Sequence, residues 1–92
     1  MIQTLTDRVE VVVECMRQQR MLRFEYHDRE GRVTYRLVEP EIIRGVDLLA
    51  WCLHREERRR FALMRMRGVR IGPHESEVLL PLASPDVKPA DW

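Results

Sequence analysis

Apolar residues recur at helical spacing near the start of the chain. Leu5, Val9, Val12, Val13 and Met16 fall on one stripe, while Arg8, Glu10, Glu14, Arg17 and Gln18 lie mostly elsewhere. This period predicts an amphipathic helix over about residues 6–20. Thr6 or Asp7 is placed to cap it, the latter with Glu10 three residues on as a capping box. The period then changes to two. Met21 to His27 alternates, with Leu22, Phe24 and Tyr26 inward and Arg23, Glu25 and His27 outward, which predicts a strand. Asp28-Arg29-Glu30-Gly31 supplies a turn, and Arg32 to Val38 returns as a second strand that is expected to end before Pro40. Glu41 to Val46 reads as a further short extended piece, because Ile42 and Ile43 are β-branched and too apolar for a free loop.

The pattern is most organised between Gly45 and Arg70. Leu48 to Leu53 is an apolar strand, His54-Arg55-Glu56-Glu57 a charged turn, and Arg58 to Met66 a returning strand, together a hairpin. Strand alternation places Arg59, Phe61, Leu63 and Arg65 on one face and Arg60, Ala62, Met64 and Met66 on the other. One face therefore carries guanidinium groups at both ends of an apolar platform, an arrangement that is costly to pack unless an anion or a carboxylate meets it. Trp51 is expected in the core of the central strand, so that Trp51→Ala should cost about 3–5 kcal/mol.

Val69 and Ile71, set between Gly68 and Gly72-Pro73, read as a short strand extension, and Glu75 to Leu82 as an edge strand or a packed arm. From Ala83 onward the chain reads as a tail with little reason to fold alone. The expected organisation is an N-terminal helix over 1–20, a β-barrel over 21–82 and a tail over 83–92. One helix followed by about five short strands with tight turns describes a mostly β domain, a strongly bent antiparallel sheet closing into a small barrel.

Ninety-two residues make one domain with a single modest core. Net charge is only +1, but its distribution is uneven: −1 over residues 1–43, +5 over 44–70 and −3 over 71–92. The positive charge is almost wholly arginine, Lys88 being the only lysine. Arginine favours bidentate recognition of phosphate or carboxylate, although a genome-wide bias toward arginine codons produces the same composition. Cys15 and Cys52 sit in apolar company without metal spacing, which predicts reduced buried thiols and a cytoplasmic protein. No apolar run approaches the roughly 18 residues of a membrane span.

The chain offers little for catalysis. Cys52 and His54 lie two residues apart on one strand face with Trp51 and Leu53 flanking the thiol, and His27, His54 and His74 are scattered without zinc-site spacing. No enzyme activity, metal or cofactor is expected. The arginines carry the stronger signal. Arg36 stands on one strand and Arg59 and Arg65 on another, with Tyr26, Trp51 and Phe61 between or beside them. Guanidinium groups beside aromatic platforms suit single-stranded nucleic acid, where stacking contributes about 1–3 kcal/mol per base and charge follows the backbone. For Trp51 and Phe61 the simpler reading is core packing, and for Arg58 and Arg60 a solvated turn paired with Glu56 and Glu57.

The run Arg36-Leu37-Val38-Glu39-Pro40, then Leu48 to Cys52, then Arg59-x-Phe61-x-Leu63-x-Arg65 resembles the WYL domain of bacterial regulators, and Arg23-Phe24-Glu25-Tyr26 fits that domain's start. The likeness covers roughly residues 10–71. It implies an Sm-like, SH3-type barrel with a preceding helix, acting as a regulatory module for single-stranded nucleic acid or nucleotide-like ligands. Such modules are usually fused to a winged-helix or helix-turn-helix domain and sometimes to helicases or CRISPR-associated regulators. Arg36, Arg59 and Arg65 match the family's basic positions, and His54 stands one position from a histidine of some members. The naming triplet aligns with Val46-Asp47-Leu48, where only the leucine is kept, and Met64 replaces a common Asp. The expected ligand site is thus Arg36, Arg59, Arg65, Tyr26, Phe61 and His54. The alternative is an interaction module in which sheet edges, the helix stripe and Ile42, Ile43, Leu79 and Leu80 form a homodimer or dock on a larger host protein.

Overall fold

The computed structural model describes residues 2–78, 82, 84–90 and 92. Thr4 opens helix α1 (Leu5–Arg17): its hydroxyl accepts the Asp7 N–H at 3.0 Å and the Asp7 carboxylate accepts the Thr4 N–H at 2.9 Å. This box satisfies two backbone donors that the helix start leaves over. The cap is Thr4 rather than the expected Thr6 or Asp7, because Thr4 and Asp7 hold the box spacing one step earlier than Asp7 and Glu10. At the other end Gln19 takes a left-handed φ of 54°, so the helix stops at Arg17 instead of running to residue 20. The line facing the sheet is Arg8, Val12 and Cys15, while Leu5 and Val13 are exposed. The expected stripe is therefore rotated. Arg8 turns inward because its Nε donates to the Met66 carbonyl at 2.9 Å.

Five strands follow: β1 (Leu22–His27), β2 (Val33–Arg44), β3 (Asp47–Cys52), β4 (Glu57–Ala62) and β5 (Met66–Ile71). They form one antiparallel sheet in the order β4-β3-β2-β1-β5. β2 does not end before Pro40. It runs through to Arg44, absorbing the separate extended piece expected from Glu41, and the β2–β3 register shifts just after Pro40. Proline lacks an N–H, and a bulge is where a sheet tolerates that loss.

The expected strand from Arg58 to Met66 is likewise broken. Leu63–Arg65 forms a 3₁₀ turn that carries the chain from β4 at one edge of the sheet to β5 at the other. The strand extension read at Val69 and Ile71 is the end of a full strand paired with β1. Gly68, with φ +58°, sits beside the register shift in that pairing, where a left-handed residue is needed.

Inward positions of all strands meet α1 in one core that includes Phe24, Val38, Leu48, Cys52, Phe61, Leu63, Met66 and Val69. The sheet curls tightly enough for β1 to meet β4 across this interior. The Phe24 and Tyr26 rings each lie 5.1 Å from Phe61, edge to face, and the Tyr26 hydroxyl accepts the Ala62 N–H at 3.0 Å. The result is a partial barrel: among the described residues no ladder joins β4 to β5. Cys15 and Cys52 are both buried free thiols.

Trp51 corrects the sequence expectation. It is half-buried on the outer face, opposite Arg58, while its neighbours Ala50 and Cys52 point into the core. The returning chain after β5 also differs from expectation. Glu75–Glu77 is a 3₁₀ turn, and residues 79–81, where the edge strand or arm was read, lie outside the described residues, as do Leu79 and Leu80 as interface candidates. The segment read as a tail packs back on the sheet. The Tyr35 N–H donates to the Pro85 carbonyl at 2.8 Å, and the Trp92 ring stands edge-on to Tyr35 at 6.1 Å. That N–H is available because β3 stops at Cys52, leaving this part of β2 paired with β1 alone and open on its other side.

Candidate functional site

Alternation along β2 puts Arg36 on the inward face between Thr34 and Val38, where it is 6% exposed. Its Nε donates to Thr34 Oγ1 at 3.1 Å, its Nη1 approaches Cys52 Sγ at 3.7 Å, and its guanidinium lies 5.8 Å from the Phe61 ring centre. Among the described residues no carboxylate reaches ion-pair distance of Arg36. Arg59 shares the inward face two residues before Phe61, opposite Ala50 on β3. It is half-exposed, with Glu57 at 3.7 Å. Arg36 reaches the Phe61 ring from β2, and Arg59 precedes Phe61 by two residues on the same face of β4.

The rest of the expected set is arranged differently. Phe61 is 2% exposed and enclosed by Phe24, Tyr26 and Arg36, so it has no free face on which a base could stack. Tyr26 is half-buried with its hydroxyl already engaged by Ala62. Arg65 does not share a strand face with Arg59, because the 3₁₀ turn intervenes. Its Nη1 donates to the His27 carbonyl at 3.4 Å, and it lines an open cavity of about 320 Å³ with Tyr26, Arg29, Arg60, Asp28 and Asp47. His54 belongs to neither group. It is half-buried against the outer face, lining a cavity of about 330 Å³ with Arg23, Tyr35, Leu37 and Trp92.

Arg58 and Arg60 find partners on strands rather than in the turn. Arg58 pairs with Glu41 at 2.9 Å and covers Trp51, and Arg60 lies 3.7 Å from Asp47. Cross-strand register brings those carboxylates alongside, whereas Glu56 turns away with a left-handed φ of 53°.

Sequence reasoning missed a second basic group on the outer face. Arg23 and Arg70 are cross-strand neighbours on β1 and β5, and each guanidinium lies 5.6 Å from the centre of the Trp92 ring. The signal was present in part: Arg23 was read as outward, and Trp92 is a large aromatic in an otherwise polar, proline-rich segment. The pairing of Arg70 with Arg23 depends on the bulge at Gly68, which periodicity does not reveal.

Two ionisation shifts belong to the core rather than to either arginine group. Burial, reinforced by the nearby Arg67 charge, lowers the Arg8 guanidinium from its ordinary value, and burial pushes the Cys15 thiol up to about 11. The Cys15 thiol donates to the Arg20 and Met21 carbonyls at 3.0 and 3.2 Å, a structural role without nucleophilic character. Among the described residues there is no group of three or more His, Cys, Asp or Glu side chains able to hold a metal, and no helix is long and apolar enough to cross a membrane.

No curated protein matches the sequence. The profile of the WYL domain, a regulatory ligand-binding family, matches residues 7–71, from the first turn of α1 to the last residue of β5. That match takes in all five strands, nearly all of the helix and more than half of the chain, and the protein therefore belongs to the WYL domain family.

Proposed function

We propose that this domain is a non-catalytic module that binds single-stranded nucleic acid or a nucleotide-like anion through Arg59, Arg65 and the buried charge of Arg36. In doing so it controls a fused or associated transcription factor, helicase or defence protein. The observation that carries this reading is Arg36: a guanidinium 6% exposed, held by a hydroxyl, a thiol and a ring, with no carboxylate among the described residues. A buried charge without a counter-ion is costly to keep, and an anion arriving beside it lowers that cost. Arg59, on the inward face of β4, is the half-exposed group that an incoming phosphate would touch. Arg65, Arg60 and Arg29 line a further opening, where three guanidinium groups against the carboxylates of Asp28 and Asp47 would meet a continuing backbone.

Fluorescence anisotropy with short single-stranded DNA and RNA at low salt tests the reading. Arg59→Glu or Arg65→Glu should abolish binding with the melting curve unchanged, and Arg59→Lys should weaken it because the bidentate fork is lost. Arg17→Glu, on the exposed helix face, should leave binding unaltered. Unchanged affinity in both Arg59→Glu and Arg65→Glu would remove the nucleic-acid reading in favour of a protein-docking role.

A further inference from the structure

The outer face of β1 and β5 carries two like charges directly across the ladder. Arg23 and Arg70 are register partners, and side chains of like charge in that relation repel. Trp92 comes alongside both, its ring centre 5.6 Å from each guanidinium. The indole's π-face supplies electron density that both cations share. Two further cations are close: Arg67 and Lys88 line the same opening as Arg70 and Trp92, with Glu25 the one carboxylate there among the described residues. Glu25 is also engaged with His27 at 3.3 Å. With Glu77 in the cavity on the other side, the described residues lining the two openings at the ring carry four cationic side chains, Arg23, Arg67, Arg70 and Lys88, against two carboxylates. Behind it lies the mainly apolar cavity of about 330 Å³ floored by Tyr35 and Leu37.

An aromatic ring stacked among guanidinium groups, in a basic setting, has the chemistry of a bound nucleobase with its phosphate nearby. We propose that the Arg23–Arg70 pair is a second nucleobase-binding site, and that Trp92 occupies it in cis as a displaceable stand-in for the base. This rests on the nucleic-acid reading above but uses a different face of the sheet. Carried on the same chain, Trp92 competes at high effective concentration. The apparent affinity of the site is lowered by the fraction of time the indole is in place. A ligand that displaces it would also free residues 84–90 from the sheet, coupling occupancy to the course of the chain after β5.

The test compares binding of a fluorescent single-stranded deoxyoligonucleotide to the full chain, to Trp92→Ala, and to Trp92→Ala combined with Arg70→Ala. Removing the indole, and with it both cation–π contacts, should tighten binding roughly five- to thirtyfold, and the added Arg70→Ala should cancel the gain. If Trp92→Ala binds no better than the parent, or the gain persists without Arg70, the inference is overturned. A second measurement covers the case in which Trp92→Ala misfolds. In a Trp51→Phe background Trp92 is the remaining tryptophan, and its emission should shift to the red as oligonucleotide is added. An unchanged spectrum at saturating oligonucleotide overturns the proposal.

The two readings fail separately. Parent binding that depends on Arg59 with no effect at Trp92 removes only the second site. Absent parent binding, with binding gained in Trp92→Ala and lost again with Arg70→Ala, removes only the Arg36–Arg59 site. Absence of binding in every variant removes both.

Discussion

Phe61 and Trp51 occupy adjacent strands of one hairpin and have opposite fates. Phe61 lies on the face that Leu48 and Ala50 also share, is 2% exposed and is gripped by two aromatic edges. Trp51 faces outward under Arg58. Phe61→Ala should therefore cost about 3–5 kcal/mol in urea unfolding, while Trp51→Ala, which opens no core cavity, should cost about 1 kcal/mol. A larger loss at Trp51 would contradict this assignment of faces. Cys15 makes a pH prediction. Its thiol is raised from 9.0 to about 11 by burial, so the unfolded chain gives up that proton first as pH rises. The native state then holds more protons than the unfolded one, and stability contributed by the neutral thiol is present below about pH 9 and is lost as pH rises through 11. Urea midpoints should fall more steeply over that window for the parent than for Cys15→Ala. Equal slopes would show that the thiol is not protected.

The elements depend on a few local devices that set where each begins and ends. The Thr4–Asp7 box starts α1, and its hydrogen bonds from the Thr4 backbone and hydroxyl hold the Asp7 carboxyl below its usual range. Thr4→Ala should lower stability by about 0.5–2 kcal/mol while Thr4→Ser retains most of it, as read by thermal or urea unfolding. A neutral Thr4→Ala would mean that the cap contributes nothing beyond water. Between β4 and β5 the 3₁₀ turn does the opposite job of ending a strand, and it decides the candidate site. It ends the inward-facing run of β4 that holds Arg59 and Phe61, and sends Arg65 toward His27 instead. At β4 itself the sequence Glu57-Arg58-Arg59-Arg60 puts charge along a sheet edge, which resists pairing with another chain.

At the scale of the whole molecule, the partial barrel exposes arginines on two faces, and binding through them should depend strongly on salt. With two or three phosphates engaged, log K against log salt should fall with a slope of about −1.4 to −2.1 for a single strand. A flat dependence would point instead to an apolar contact. Self-association through Ile42, Val46 or Met64, which are 45%, 60% and 54% exposed, would appear as a dimer mass in light scattering, and a monomer mass at high concentration would end that proposal.

What the sequence determined by itself was everything governed by local periodicity and turn chemistry. The alternation of Leu22, Phe24 and Tyr26, the glycine turn at Gly31, the helix ahead of the sheet and the Arg36–Leu37–Val38 motif are all written within a few residues of one another. What only the tertiary structure decided was set by contacts between distant parts of the chain. Arg8 turns inward because a carbonyl 58 residues away accepts from it. The chain leaves β4 at Leu63 because β5 must reach the far edge of the sheet beside β1. Trp92 is held because Arg23 and Arg70, 47 residues apart, are brought opposite each other by a bulge. A period of two says which side chains share a face, but not whether that face meets the core or how far the strand continues. Those follow from which other surfaces are available to cover it.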